Sequence, residues 1–148
     1  MPDYLGIGEL AERSGRSIHT LRYYESIGLM PFVVRDAGGR RRYNTQHVDW
    51  LAFLDRLKRT GMTLAQMQEY AQLVSRGKHT LQERIALLDR HLGRVDRELL
   101  DLANSRKLLA AKIGFYQEWT ATGKYPKTWW LDTEPPAPTA TTKKRVRR

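Results

Sequence analysis

The chain has 148 residues, 41% hydrophobic and 28% charged, enough for one modest core beside an extended element and too few for two independent domains of usual size. It contains no cysteine, which excludes a disulfide framework, a thiolate metal site, a cysteine-ligated iron–sulfur cluster and a thiol redox sensor. A formal net charge of +10 points to a polyanion, nucleic acid first and a membrane surface second; five of the basic side chains crowd into residues 134–148, so motif rather than bulk charge must carry the argument.

In chain order, Ile7-Gly8-Glu9-Leu10-Ala11 opens a short amphipathic helix that Gly15 ends, and Ser17 is placed to cap the next one. Leu21-Arg22-Tyr23-Tyr24-Glu25-Ser26-Ile27-Gly28-Leu29 then carries a charged, two-aromatic helix face and a glycine stop. Two short helices joined this way predict a helix-turn-helix whose second helix reads DNA. Residues near its N-terminus enter a major groove, so Ser17, His19 and Thr20 are the base-edge candidates. Arg22 is suited to guanine or phosphate, and Tyr23 and Tyr24 to phosphate, with core packing as the plain alternative for both tyrosines.

Pro31–Arg35 reads as a strand, Asp36-Ala37-Gly38-Gly39 as a turn in which both glycines supply positive φ, and Arg40-Arg41-Arg42-Tyr43 as the returning strand. Arg40, Arg41, Arg42 and Tyr43 join the DNA-binding set. The competing reading of the arginines is a solvated run that keeps an edge strand from aggregating.

Thr45 is expected to cap a third helix with Val48, Leu51, Phe53, Leu54 and Leu57 on its apolar face, and Gly61 to break it. Thr63-Leu64-Ala65-Gln66 matches a capping box for a fourth, with Leu64, Met67, Tyr70, Ala71 and Val74 on one side. A second box, Thr80-Leu81-Gln82-Glu83, opens the longest element. There Leu81, Ile85, Leu88, Leu92, Val95, Leu99, Leu102, Leu109, Ile113 and Tyr116 alternate steps of four and three, with Arg106 as the one interruption. This predicts a dimerising coiled-coil helix about 55 Å long.

The predicted organisation is therefore mainly α. A winged helix-turn-helix domain spans 1–77 and a coiled-coil dimerisation helix 78–120. A short aromatic segment spans 121–133, and a disordered basic tail 134–148.

Ile7-Gly8-Glu9-Leu10-Ala11, Thr20-Leu21-Arg22-Tyr23-Tyr24-Glu25, Gly28-Leu29 and Gly39-Arg40-Arg41-Arg42-Tyr43 together resemble the signature of the mercury-resistance-regulator (MerR) family. Several separated blocks in the right order make the match more specific than one short pattern; it covers the first half, while the second agrees in architecture. The resemblance implies a homodimer paired through an antiparallel coiled coil, an inverted-repeat operator between two promoter elements, and distortion of that DNA so that RNA polymerase engages both. It matches Tyr23 to the family's phosphate-contacting tyrosine and Arg41 to its wing arginine. Arg40 stands where the family has an aromatic, and the missing cysteines exclude the family's best-known sensing chemistry.

Tyr116, Trp119, Tyr125, Trp129 and Trp130 form a candidate pocket for a small apolar or cationic effector, against the competing reading of dimer core. His19, His47, His79 and His91 never fall at helical ligand spacing, so capping or solvated roles are expected and no metal or cofactor. No nucleophile motif, phosphate loop or acid–base pair stands out, so no enzyme is expected. No uncharged apolar run approaches the ~20 residues of a membrane span, and the expected location is the cytoplasm. The rival classes are a non-specific architectural DNA binder and a coiled-coil interaction adaptor.

Overall fold

The computed structural model describes residues 4–127. In chain order these form α1 (Ile7–Ser14), α2 (Ile18–Ser26), β1 (Val34–Arg35), β2 (Arg41–Arg42), α3 (Thr45–Arg59), α4 (Leu64–Arg76) and α5 (Leu81–Thr122). The chain makes two compact units, one running to Asp96 and the other starting at Arg97.

Gly15 ends α1 at φ 67°, which lets the Arg16 N–H donate back to the Ala11 carbonyl at 3.1 Å. Ser17, in extended backbone, caps α2 by accepting from the Thr20 N–H at 3.1 Å. Leu10 and Leu21, 0% and 1% exposed, turn inward onto Leu29, Leu51, Leu54, Leu57, Met67 and Ala71. This apolar core is what holds the two short helices at a fixed angle. The far end of α2 is pinned from below: the Trp50 indole donates to the Leu29 carbonyl at 2.7 Å and the Gln68 amide to the Ile27 carbonyl at 2.9 Å. Trp50 in turn stacks on Tyr70, with ring centroids 5.7 Å apart and planes 7° from parallel.

The hairpin is smaller than its sequence suggests. Pro31 and Phe32 lie in a turn, and only Val34 and Arg35 pair antiparallel with Arg42 and Arg41. Phe32 has φ 63°, a conformation costly for an L-residue, and that bend delays the start of the expected strand to Val34. Of the two turn glycines only Gly39, at φ 76°, adopts positive φ. Asp36 organises the turn instead: its Oδ1 accepts from the Gly38 and Arg40 N–H groups, both at 2.9 Å, while its Oδ2 receives Arg42. An Asx-type turn of this kind needs one fewer left-handed residue. Tyr43 extends the pairing through a single bridge to Leu5.

Two expected caps are displaced. Asn44, not Thr45, caps α3, in a reciprocal box with His47. Thr80 does not open a capping box. It lies in a 3-10 turn, Lys78–Thr80, is fully buried, and donates to the Leu73 carbonyl at 2.6 Å while accepting from Arg84 Nε at 3.0 Å. Arg84 also donates to the Leu73 and Gly77 carbonyls, satisfying acceptors at the end of α4. The Thr63–Gln66 box forms as expected. Leu64 stays 42% exposed, and Leu73 takes its place in the core.

α5 begins as part of the N-terminal unit, with Leu87 buried in that core and Leu88 half-buried against it. The other heptad positions are largely solvent-facing: Ile85, Leu92, Leu99, Leu102, Leu109 and Ile113 are 56–67% exposed, Leu81 is 49%, and Val95 is intermediate. Gly123, at φ 64°, ends the helix and donates to the Trp119 carbonyl at 2.9 Å. The chain then turns so that the Tyr125 ring meets Phe115 and Trp119 edge-on, at 5.3 and 5.0 Å. Among the described residues, no helix is long and apolar enough to cross a membrane. Trp129, Trp130 and the basic segment 134–148 lie outside the described residues.

Candidate nucleic-acid interface

α2 turns Leu21 inward and thereby leaves Ser17, His19, Arg22 and Tyr23 facing solvent. Ser17 Oγ and Thr20 Oγ1 lie 2.8 Å apart, so the two proposed base-reading hydroxyls at the helix start also hold each other. Tyr23 is 49% exposed and its ring is tilted 51° to that of Tyr24, whose centroid lies 6.2 Å away. Tyr24 is more enclosed. Its hydroxyl accepts from Arg16 at 3.3 Å and the Arg16 guanidinium lies over its ring, 5.2 Å from the centroid.

Arg16 was not among the sequence-derived residues, yet it joins the helix-turn-helix to α3. Its guanidinium also donates to the Leu51 carbonyl at 3.2 Å and pairs with Asp55. Its Nε is buried with no hydrogen-bond partner among the described residues, a cost the three other contacts must offset. In sequence Arg16 looks like any solvated charge beside a turn; only the approach of α3 gives it partners.

The wing is tied to the recognition helix through Glu25. Arg41 Nε donates to both of its carboxylate oxygens, at 2.7 and 2.5 Å, and the Tyr43 hydroxyl donates to it at 3.4 Å. The Glu25 hydrogen bond raises the Arg41 pKa above its already high value, so Arg41 stays a cation. Tyr43 itself is 1% exposed and its pKa is raised, chiefly by burial. It supports the wing from beneath, not from the open face. Glu25 belonged to the recognised sequence block, but its role as the wing's anchor was not legible there.

Gly6, Ile7, Arg22, Gly39, Arg40, Arg41 and Arg42 line one open groove of about 340 Å³ between the start of α1, the recognition helix and the wing. Arg42 is anchored by Asp36 at 2.9 Å, leaving Arg22 and Arg40 the more exposed pair. The Arg40 N–H, followed by Arg42, keeps the Asp36 carboxyl below its ordinary pKa, so the turn is held by a full negative charge. Four guanidiniums beside an exposed helix start, two of them already paired with carboxylates, make this groove chemically suited to phosphate-rich chains.

Behind this face, His47 is buried. Its Nδ1 accepts from the Asn44 N–H at 3.1 Å while its Nε2 lies 3.1 Å from the Pro31 carbonyl, to which it donates. Burial lowers its pKa, which favours the neutral ring.

These features define a winged helix-turn-helix module with a cationic face. Residues 5–73 match the family described as MerR HTH family regulatory protein, and residues 48–112 the family described as MerR, DNA binding. An uncharacterized HTH-type transcriptional regulator of Haemophilus influenzae is 37% identical over 113 residues, covering 76% of this chain and 84% of the relative. The mercuric resistance operon regulatory protein of Bacillus cereus is 32% identical over 103 residues, covering 70% and 78%. Among solved structures, HiNmlR, a MerR family regulator lacking the sensor domain and bound to promoter DNA, superposes with a TM-score of 0.66 at 34% identity, over 82% of this chain and 97% of that one. A MerR family regulator from Listeria monocytogenes gives 0.68 at 32% identity, over 76% and 86%. The chain belongs to the MerR family of DNA-binding transcriptional regulators.

Proposed function

We propose that the protein binds promoter DNA as a homodimer, one recognition helix and one wing per half of an inverted repeat, and bends or untwists the intervening duplex to control engagement by RNA polymerase. The observation that carries this reading is the Arg41–Glu25 pair, which makes the wing and the recognition helix one surface. Ser17, His19, Thr20 and Arg22 are then presented to base edges, and Tyr23, Arg40, Arg41 and Arg42 to phosphates on either side. Tyr24 and Tyr43 act by holding this surface in place, Tyr24 through Arg16 and Tyr43 through Glu25.

Deforming the duplex costs several kcal/mol, and paired phosphate clamps on both half-sites offset it. The HiNmlR complex with promoter DNA supports the choice of target. The exposed apolar seam of α5 supports a second chain as partner. The protein acts by binding, not catalysis, in the cytoplasm where its promoter is. Beyond Arg97, the rings of Phe115, Trp119 and Tyr125 cover one another's edges, so this cluster is packing core first. Tyr116, Trp119 and Tyr125 stay 41–51% exposed, and Lys112 lies 4.7 Å from the Tyr116 ring centroid, so an apolar effector suits this cluster better than a cationic one.

The test is selection of bound fragments from a random duplex library at near-physiological salt, then footprinting of the winner with RNA polymerase. Recovery of an inverted repeat with distortion near its centre is expected. Binding without sequence preference would instead assign an architectural role.

A further inference from the structure

Arg106 occupies a seam position of α5 where every other turn places an apolar side chain. Neither its guanidinium nor the Asp96 carboxylate has a hydrogen bond or ion pair among the described residues, and both are exposed. A lone cation in a run of leucines lowers the stability of a helix pair and fixes its register, provided one alignment gives it an anion at less electrostatic cost than the others.

The charge order along α5 selects that alignment. From Val95 to Asp101 the helix carries Asp96, Glu98 and Asp101 against Arg97 alone; from Leu102 to Gln117 it carries Arg106, Lys107 and Lys112 and no acid. A parallel, in-register pair would set Arg106 against its own copy inside the seam, which is repulsive. An antiparallel pair can instead set Arg106 against the acidic stretch of the other chain. Two registers match the apolar positions equally well; in one of them Ile85 faces Tyr116, Leu88 faces Ile113, Leu92 faces Leu109 and Leu99 faces Leu102. In that register Arg106 falls opposite Val95 and beside Asp96.

We propose that Arg106 forms an ion pair with Asp96 of the partner subunit, made twice across the two-fold axis, and that this pair sets the antiparallel register of the homodimer. The inference rests on the homodimer proposed above and names the contact that aligns it. Shifting the helices by one heptad places Arg106 opposite Leu102 and pairs fewer seam residues, or opposite Leu88 beside Asp89, where as many seam residues pair but Asp96 and Glu98 are brought against their own copies at the two-fold axis.

Two measurements test it. Sedimentation equilibrium of the full chain compares wild type with Arg106→Glu, Asp96→Arg and the double exchange, with circular dichroism to check helix content. Each single reversal is expected to weaken the dimer roughly tenfold, and the double exchange to restore most of that loss. A wild-type monomer would overturn the dimer itself. A dimer in which the double exchange is no better than the singles would overturn the ion pair alone.

Because the native chain has no cysteine, register is also read by mixing Leu99→Cys chains with Leu102→Cys, Leu109→Cys or Val95→Cys chains under mild oxidation. The disulfide is expected to form fastest with Leu102→Cys. Fastest formation with either of the others would overturn the register.

Discussion

The core of the unit that ends at Asp96 finds its partners within the chain; the seam of α5, which starts inside that unit at Leu81, leaves most of its described apolar side chains exposed. In the first unit, Leu10, Leu21, Leu29 and Leu51 are at most 1% exposed, and the buried polar groups of His47 and Thr80 find carbonyls or caps within the chain. In the second, Leu99, Leu102 and Leu109 are 59–67% exposed, and Phe115 is the buried ring around which others gather. Residues of one hydrophobic class thus serve two ends: one set completes a fold, the other waits for a second molecule. Exposed leucines at strict heptad spacing are a statement about assembly.

The sharpest way to break that contrast is Leu109→Asp. Each dimer would lose two buried leucines, worth about 1.5–3 kcal/mol apiece, so the dissociation constant should rise by at least about a hundredfold. The first unit should keep its thermal transition in the monomer. Analytical ultracentrifugation with calorimetry reads both, and loss of the transition together with the dimer would show the two regions to be interdependent.

Arg22→Ala probes the opposite side of the comparison. It should cost about 1–3 kcal/mol of specific operator binding, leave the dimer intact and relax sequence preference at one position of each half-site. Titration against single-base operator variants measures it, and a uniform loss across sequences would move Arg22 to a phosphate.

Much of this was legible in the sequence because it is locally encoded. Gly15 and Ser17 mark the turn, Thr63 and Gln66 mark a cap, and the three-and-four spacing of leucines marks α5. Glu25 as a wing anchor, Arg16 as the link to α3 and Asp36 as the hairpin's organiser were not legible, since each role depends on a partner that folding brings close. Asn44 outcompeted Thr45 as the cap because His47 completes a reciprocal box with it. Thr80 lost its expected capping role to the burial that Arg84 and the end of α4 impose. Phe115 escaped notice because it lies one position off the heptad seam, on the face that Tyr125 folds back to cover.

A smaller effect separates the regions by pH. Burial lowers the His47 pKa below its ordinary 6.5, so the unfolded chain takes up the proton more readily than the folded one. Its contribution to stability is full above that value and is lost as pH falls below it. The first unit should therefore melt lower at about pH 5 than at about pH 7.5, a difference that His47→Gln should shrink. An unchanged difference would assign the effect to other groups.

The smallest expected change is at the wing. The Asp36 pKa is depressed below 3.8, so its charged form holds the turn above that value and releases it as pH falls through the lower folded one. Asp36→Ala should loosen the Gly38 and Arg40 amides in hydrogen exchange and weaken DNA binding without altering the dimer. Unchanged exchange would mean that Gly39 alone fixes the hairpin.

The most direct test of the central claim compares affinity for the selected full operator with that for an isolated half-site and for the same half-sites arranged as a direct repeat, at one fixed salt concentration. Two linked recognition surfaces predict the inverted repeat to be preferred by at least about a hundredfold, since the second contact becomes intramolecular. Equal affinity for all three would contradict a two-fold symmetric reader of DNA.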